Sequence, residues 1–150
     1  RGLVGSEMCI RDSSIGLDPG YRRLFTEYLR EYAKAEEKTI FLTSHIIQDM
    51  ERLVDDCIIM DYGRILIQKP VKELLDTFTR YTFKTSSPDK LPHAPSLYST
   101  AAIRDSAETY SFENEERIKQ ILQEQSIPYT DFKSEKMNLE DVFIGLTGKY

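Results

Sequence analysis

A helix start at Asp18-Pro19 is followed, one helix later, by a short apolar run from Thr39 to Thr43, and this order limits the folds that the chain can adopt. The Asp18 carboxylate can accept hydrogen bonds from free N–H groups at a helix start, and proline suits the first helical position. We therefore predict a helix that begins at Pro19 and ends near residues 36–38. Offsets of three and four predict a single stripe that packs in the core, made of Tyr21, Leu24, Phe25, Tyr28, Leu29 and Tyr32.

The apolar run after this helix predicts a β-strand. Thr39 to Thr43 is short and β-rich, the pattern of a strand buried on both faces of a parallel sheet. A helix followed by such a strand indicates an α/β layer. The run stops at Ser44-His45, so we expect His45 at the carboxyl end of the strand, where open α/β sheets place their ligand chemistry.

The next segment predicts a helix and then a hairpin. Ile46, Ile47, Met50, Leu53 and Val54 form the buried side of the predicted helix. After it we predict a buried strand, a tight turn, a returning strand and a short helix, at Cys57–Asp61, Tyr62-Gly63, Arg64–Gln68 and from Pro70 onward.

The last part of the chain predicts a small α+β appendage. We expect strands at 81–85, 109–112 and 129–133, a helix at 115–125 and a loop at 86–96 that contains three prolines. A closing helix is expected after Asn138 as N-cap, with Gly148 as its C-terminal stop.

The order of these elements resembles the back half of an ATP-binding cassette (ABC) ATPase. In that family the segment like Gly16-Leu17-Asp18 is the D-loop, and the histidine after the following strand is the H-loop histidine. The resemblance implies an α/β fold of the P-loop NTPase type, here as a partial sheet. It implies that His45 is a catalytic residue that contacts the γ-phosphate of ATP, and that Asp18 reaches across a dimer interface toward the partner's phosphate-binding loop. Asp49 departs from the family, which more often has glutamate there.

The segment Asn138–Gly148 is similar to the closing helix of exporter-type ABC subunits. The resemblance therefore implies an ATP-binding subunit that uses ATP and Mg²⁺ in its full-length form and drives export. It implies two partners, a second ATP-binding subunit and a transmembrane permease, and a location at the cytoplasmic face of the cell membrane. It implies no metal ligand within this chain.

The first residues resemble a translated sequencing adapter. Leu3 to Ser13 can be read codon by codon from a transposase end used in DNA library preparation, and the segment has neither helical nor strand periodicity. We therefore exclude it from fold prediction, as one would an expression tag. The predicted organisation is a non-native segment at 1–13, the C-terminal part of an ABC ATPase domain at 14–79 and an accessory region at 80–150.

Several motifs needed for ATP chemistry are absent from the sequence. It contains no Gly-x-x-x-x-Gly-Lys-Ser/Thr loop, no Leu-Ser-Gly-Gly-Gln signature and, outside the adapter-like segment, no Walker B carboxylate ahead of Asp18. Phosphoryl transfer depends on positioning and electrostatic stabilisation by all of these groups together. We therefore predict that the chain as given neither binds nor hydrolyses ATP measurably.

Composition excludes other classes of function. A net charge of −5 argues against nucleic-acid binding, which needs clustered Lys and Arg. No apolar run is long enough to cross a bilayer, and two cysteines give no disulfide or metal framework.

Structural interpretations of the same residues, without a function, also stay open. Taken alone, His45 would more often be structural, Asp18 a plain N-cap, and His93 a solvated loop residue. Two alternatives from other classes also stay open. One is a receiver-like or flavodoxin-like signalling module, although the acidic cluster or phosphate loop that such modules need is missing. The other is a non-catalytic fragment that pairs with a full-length subunit.

Overall fold

The computed structural model describes residues 7–11, 18–43, 47–48, 50–87 and 89–148. These residues group into two compact units, a first unit of Arg1–Val54 and a second unit of Asp55–Tyr150. Helices and strands are both abundant, as the mixed α/β prediction requires. No helix in the described ranges is long and apolar enough to cross a membrane.

The first unit is built on a parallel strand pair. Strands β1 (Glu7–Arg11) and β2 (Thr39–Thr43) run side by side, with Glu7 opposite Thr39 and Arg11 opposite Thr43. The prediction of a parallel sheet at β2 is confirmed. The expectation that residues 3–13 lack strand structure is wrong over β1, because pairing with β2 supplies a ladder partner that the sequence pattern does not reveal.

The prediction that β2 is buried on both faces is wrong. Its residues alternate between exposed and half-buried, and the Phe41 side chain is 57% exposed. Among the described residues of this unit, β1 is the one neighbour that β2 has in a two-stranded sheet. A two-stranded sheet leaves an apolar strand without the cover that parallel sheets normally have.

Helix α1 (Pro19–Ala35) joins the two strands and begins where the sequence predicts. Its apolar stripe is only partly covered. Leu29 is buried, whereas Tyr21, Leu24 and Tyr28 are each more than 60% exposed, so the prediction that the stripe packs in the core is wrong for these three. In the residues described, the sheet of this unit has two strands.

The predicted helix after β2 is a set of turns in its described part. The N–H groups of Met50 and Leu53 donate to the carbonyls of Ile47 and Met50, each over 2.9 Å and three residues. A short helix gains most of its stability from packing, and apolar spacing alone does not provide it. The helix prediction is therefore wrong for residues 47–48 and 50–54, while Ile46 and Asp49 lie outside the described residues.

The second unit opens with the predicted hairpin. Strands β3 (Asp56–Asp61) and β4 (Arg64–Pro70) are antiparallel. Tyr62 and Gly63 both have positive φ, 45° and 74°, which matches the right-handed twist of the flanking strands. Helix α2 (Val71–Thr77) follows directly, with Pro70 as its N-cap residue.

The rest of the second unit is a four-stranded antiparallel sheet with two helices. Its elements are β5 (Thr79–Lys84), β6 (Leu97–Ile103), β7 (Ser106–Ser111), α3 (Glu115–Glu124), β8 (Thr130–Lys136) and α4 (Leu139–Thr147). The strand order is β6-β7-β5-β8. The predicted α+β character, the two helices and three of the strands are confirmed. The sequence did not predict β6, because its small and hydroxylated residues carry no strong strand pattern.

Two helices cover opposite faces of this sheet. Tyr81 packs with Ile118 and Ile121 of α3 on one face. Tyr110 belongs to the other face, because side chains alternate along a strand and its neighbour Thr109 lies opposite Tyr81. There Gly145 of α4 approaches so closely that an added Cβ would lie 2.6 Å from the Tyr110 ring.

The chain divides into its compact units between Val54 and Asp55, and not near residue 79, where the predicted ATPase segment ends. The hairpin and α2 belong to the second unit because α2 leads into its core, where Leu74 and Phe78 are fully buried. The Phe78 ring centroid lies 4.6 Å from that of Phe112 and 6.2 Å from that of Tyr110. The assignment of 1–13, 14–79 and 80–150 to adapter, ATPase domain and accessory region stays a prediction.

Candidate functional site

Asp18, the first candidate residue, is the N-cap of α1. Its Oδ1 accepts hydrogen bonds from the backbone N–H groups of Gly20 at 2.9 Å and Tyr21 at 3.1 Å. Its backbone is extended, with φ of −68° and ψ of 162°, as an N-cap requires. The side chain is exposed. The predicted capping role is confirmed, and both bonds are made by Oδ1.

His45, the second candidate residue, lies outside the described residues, as do Gly16 and Leu17. Its place along the chain is nevertheless defined by β2, which ends two residues earlier at Thr43. Because β1 and β2 are parallel and in register, Arg11 and Thr43 end at the same edge of the sheet.

The carboxyl edge of a parallel sheet is where α/β proteins bind ligands. In the sequence, Asp18 follows β1 and His45 follows β2, so their placement at this edge stays a prediction. A third residue enters by the same logic. Asp12 directly follows β1, and it was not a candidate because the sequence pattern did not predict that strand; it too lies outside the described residues.

Asp18 and the described start of α1 do not by themselves fit ATP. A phosphate group needs N–H donors or cationic side chains. Asp18 instead presents an anionic carboxylate, and the first N–H groups of α1 that could face a phosphate are directed to its Oδ1. We therefore derive no catalytic step through ATP from the geometry of these residues.

The ion pairs of the second unit account for its perturbed carboxylates. A hydrogen bond from Lys119 lowers the pKa of Glu115, one from Lys84 lowers the pKa of Asp131, and one from Arg80 lowers that of Glu135. All of these side chains are at least one-third exposed. Exposed ion pairs of this kind stabilise locally and do not indicate a catalytic group.

The second unit also has an open cleft of about 370 Å³. Two of its carboxylates are the ion-paired Glu115 and Glu135, and the ammonium group of Lys136 donates to the Asp76 carbonyl and the Thr79 hydroxyl. In the described ranges no group of three or more His, Cys, Asp or Glu side chains is arranged to hold a metal ion. The cleft lining is Asp76, Thr77, Thr79, Tyr81, Phe112, Glu113, Asn114, Glu115, Ser134, Glu135 and Lys136.

His93 is exposed, as predicted. Its backbone N–H donates to Oε1 of Gln125 at 3.0 Å, and its carbonyl accepts from Nε2 of the same side chain at 2.7 Å. These bonds fix the loop through the backbone of His93 and involve no ring nitrogen. His93 is therefore a suitable control for tests of His45.

Comparison with known proteins connects nearly the whole chain to one group. No protein-family model matches it. It is 31% identical over 146 residues to the Nod factor export ATP-binding protein I of Ralstonia nicotianae, a match that covers 92% of this chain and 45% of the relative.

Two further relatives agree. The protein of the same name from Neorhizobium galegae is 29% identical, with 99% of this chain and 44% of the relative covered. An uncharacterised ABC transporter ATP-binding protein of Bacillus subtilis is 24% identical, with 89% and 45% covered. The chain thus spans about half the length of the curated relatives that it matches.

Proposed function

Because this chain belongs to the ATP-binding proteins of ABC transporters, we propose that it forms the C-terminal part of a subunit that couples ATP binding and hydrolysis to transport through a separate permease. One observation carries the proposal. The similarity extends over 92% and 99% of the chain in two relatives and therefore includes both compact units. No similarity found favours a receiver-like or flavodoxin-like module.

The proposed site residues are His45 and Asp18. In the full-length subunit we assign His45 to the γ-phosphate of ATP and Asp18 to coupling across the interface between two subunits. The support is positional: each residue follows the carboxyl edge of the β1–β2 pair, in the segment that leaves one of its strands. The capping bonds of Asp18 support a second role, which is to fix the start of α1.

The proposed reaction uses ATP and Mg²⁺, and the proposed direction is export. Two of the relatives that match most of this chain are named as export proteins, and the closing helix α4 has the N-cap and left-handed Gly148 stop that the sequence resemblance rests on. The proposed partners are a second ATP-binding subunit and a membrane permease, which place the protein at the cytoplasmic face of the membrane.

The 150-residue chain alone is expected to be inactive, because its sequence contains no phosphate-binding loop. A coupled assay of phosphate release and a titration with a fluorescent ATP analogue test this expectation. Turnover or saturable binding above the level of a heat-denatured sample would contradict it.

A chimera tests the positive part of the proposal. Residues 14–150 would replace the matching part of the Ralstonia nicotianae relative, and ATP hydrolysis would be measured. We expect activity in the chimera, a fall of about a hundredfold or more in His45→Ala, and no change in His93→Ala. An active His45→Ala chimera would exclude the proposed role of His45, and an inactive but folded parent chimera would contradict the assignment of this chain.

A further inference from the structure

A side chain of α1 contacts the post-β2 segment, residues 44–54, which contains the proposed site residue His45. The Nη1 atom of Arg30 donates a hydrogen bond of 3.2 Å to the backbone carbonyl of Arg52. We propose that Arg30 is a positioning residue for His45, because it fixes the segment that carries His45 to helix α1. The inference rests on the function proposed above for His45.

The described part of the post-β2 segment, residues 47–48 and 50–54, is stabilised by short-range bonds. The N–H groups of Leu53 and Val54 both donate to the carbonyl of Met50, over 2.9 and 3.0 Å. Bonds of this kind determine the shape of a turn and do not attach it to the rest of the unit. The bond from Arg30 joins residues 22 positions apart and supplies such an attachment.

Helix α1 provides a firm support at Arg30. The neighbouring residue Leu29 is 4% exposed, so this part of the helix is anchored in the first unit, although Arg30 itself is exposed. The same helix is capped at its start by Asp18. One continuous helix therefore begins at one proposed site residue and contacts the segment that carries the other.

The chemistry of the bond suits positioning. A guanidinium group stays charged at every physiological pH, so Arg30 neither gives nor takes a proton in the reaction. Its acceptor is a main-chain carbonyl, and the bond therefore restrains the backbone of the segment whatever side chain residue 52 carries. Charged donors form stronger hydrogen bonds than neutral ones, but exposure to water reduces the gain. We expect effects of a few-fold.

The ATP-hydrolysing chimera described above measures the effect on the reaction. A catalytic group that is slightly misplaced stabilises the transition state less. Arg30→Met removes the donors and retains a long side chain of similar helix propensity. We expect it to lower kcat about three- to tenfold with little change in the KM for ATP.

Two further variants control for charge and for helix structure. Arg30→Lys retains a cationic donor and should recover part of the lost kcat. Arg23→Met makes the same change at another exposed position of α1 and should leave kcat unchanged. Circular dichroism checks that each variant is folded. An active chimera in which Arg30→Met does not lower kcat, or lowers it no more than Arg23→Met does, would overturn the proposal.

A double-mutant cycle tests whether Arg30 acts through His45. If it does, Arg30→Met should have no further effect on kcat in a chimera that already carries His45→Ala. A purely structural role would lower kcat by the same factor in both backgrounds. That result would place the effect of Arg30 elsewhere and overturn the proposal.

Hydrogen exchange on the 150-residue chain gives a readout that needs no ATP. The amides of Met50, Leu53 and Val54 should exchange at least about threefold faster in Arg30→Met and at the wild-type rate in Arg23→Met. An inactive but folded parent chimera would contradict the proposed function and, with it, the assignment to His45. Unchanged exchange of these three amides would overturn the inference about Arg30 alone.

Discussion

Helices α1 and α3 begin in the same way and have different surroundings. Each has a capping side chain, Asp18 or Asn114, that accepts from N–H groups of the first turn. The apolar side chains Ile118, Ile121 and Leu122 of α3 are at most 2% exposed, whereas Tyr28 of α1 remains 64% exposed. The difference lies in the sheets, since α3 packs on four strands and α1 belongs to a unit whose sheet has two.

The two helices show that the start of a helix and the burial of its apolar stripe are determined separately. Capping residues and apolar spacing determine where each helix starts and which stripe it carries. Burial of the stripe depends on how many strands are available to cover it. Among the described residues Leu29 is the one buried apolar side chain of the first unit, while the second unit has an extended core. The candidate site residues therefore lie in the unit with the smaller core.

The largest expected difference concerns two phenylalanines in strands. Phe83→Ala should lower the free energy of unfolding of the second unit by about 3 to 5 kcal/mol, because Phe83 is 1% exposed. The matched change Phe41→Ala in β2 should cost less than about 0.5 kcal/mol, because a surface side chain loses little packing. Urea unfolding followed by circular dichroism measures both, and equal losses would contradict the comparison.

Two glycines in helices give the next contrast. Gly145→Ala should destabilise the second unit by about 1 to 3 kcal/mol through overpacking against Tyr110. Gly20→Ala in α1 should be neutral or stabilising, since its Cβ would meet only the exposed Asp18 carboxylate at 3.3 Å. Adding Tyr110→Leu to Gly145→Ala should recover part of the loss. No recovery would mean that the added methyl group acts through another contact.

Removal of the two helix caps is expected to have a smaller effect on stability. Asp18→Ala and Asn114→Ala should each cost about 1 kcal/mol, but in different transitions. The loss at Asn114 should appear in cooperative unfolding of the second unit, because α3 is part of its core. The loss at Asp18 should appear as faster amide exchange at the start of α1. A shift of the second unit's transition by Asp18→Ala would show that the two units unfold together.

The smallest expected effect is on pH dependence. Ion pairs with Lys119, Lys84 and Arg80 lower the pKa values of Glu115, Asp131 and Glu135 in the folded state. A lowered carboxylate pKa stabilises the fold above the unfolded-state pKa, and the gain is lost as the pH falls through the folded-state value. The second unit should therefore weaken below about pH 4.5, the ordinary glutamate value.

Substitution checks this last prediction. Glu135→Gln removes one of the titrating groups, so it should flatten the decline of stability with falling pH while changing stability little near pH 7. Urea midpoints measured from pH 7 down to about pH 3 test it. A steeper decline in the variant would contradict the assigned direction of the pKa shift.

Much of the fold follows from local signals in the sequence. The Asp18 cap, the Tyr62-Gly63 turn and the Asn138 and Gly148 ends of α4 are each specified by one or two residues whose backbone preferences are strong. These predictions are confirmed because capping and positive φ act within a single turn and need no distant partner.

The errors occur where distant partners decide the outcome. Strand β1 forms because β2 lies beside it, and β6 forms at the edge of an existing sheet although Ala101 and Ala102 have low strand propensity. Conversely, the apolar spacing around Met50 does not produce a helix in the described residues. For the candidate site, the sequence predicts only the two positions Asp18 and His45. How these residues come together depends on the segments that follow Arg11 and Thr43.

Native-state hydrogen exchange on the 150-residue chain measures whether the unit that carries the candidate site residues has little core of its own. We expect amides of β5, β7 and α3 to exchange only through global unfolding of the second unit, and amides of α1 and β2 to exchange at least about a hundredfold faster. Equal protection of α1 and α3 would contradict it.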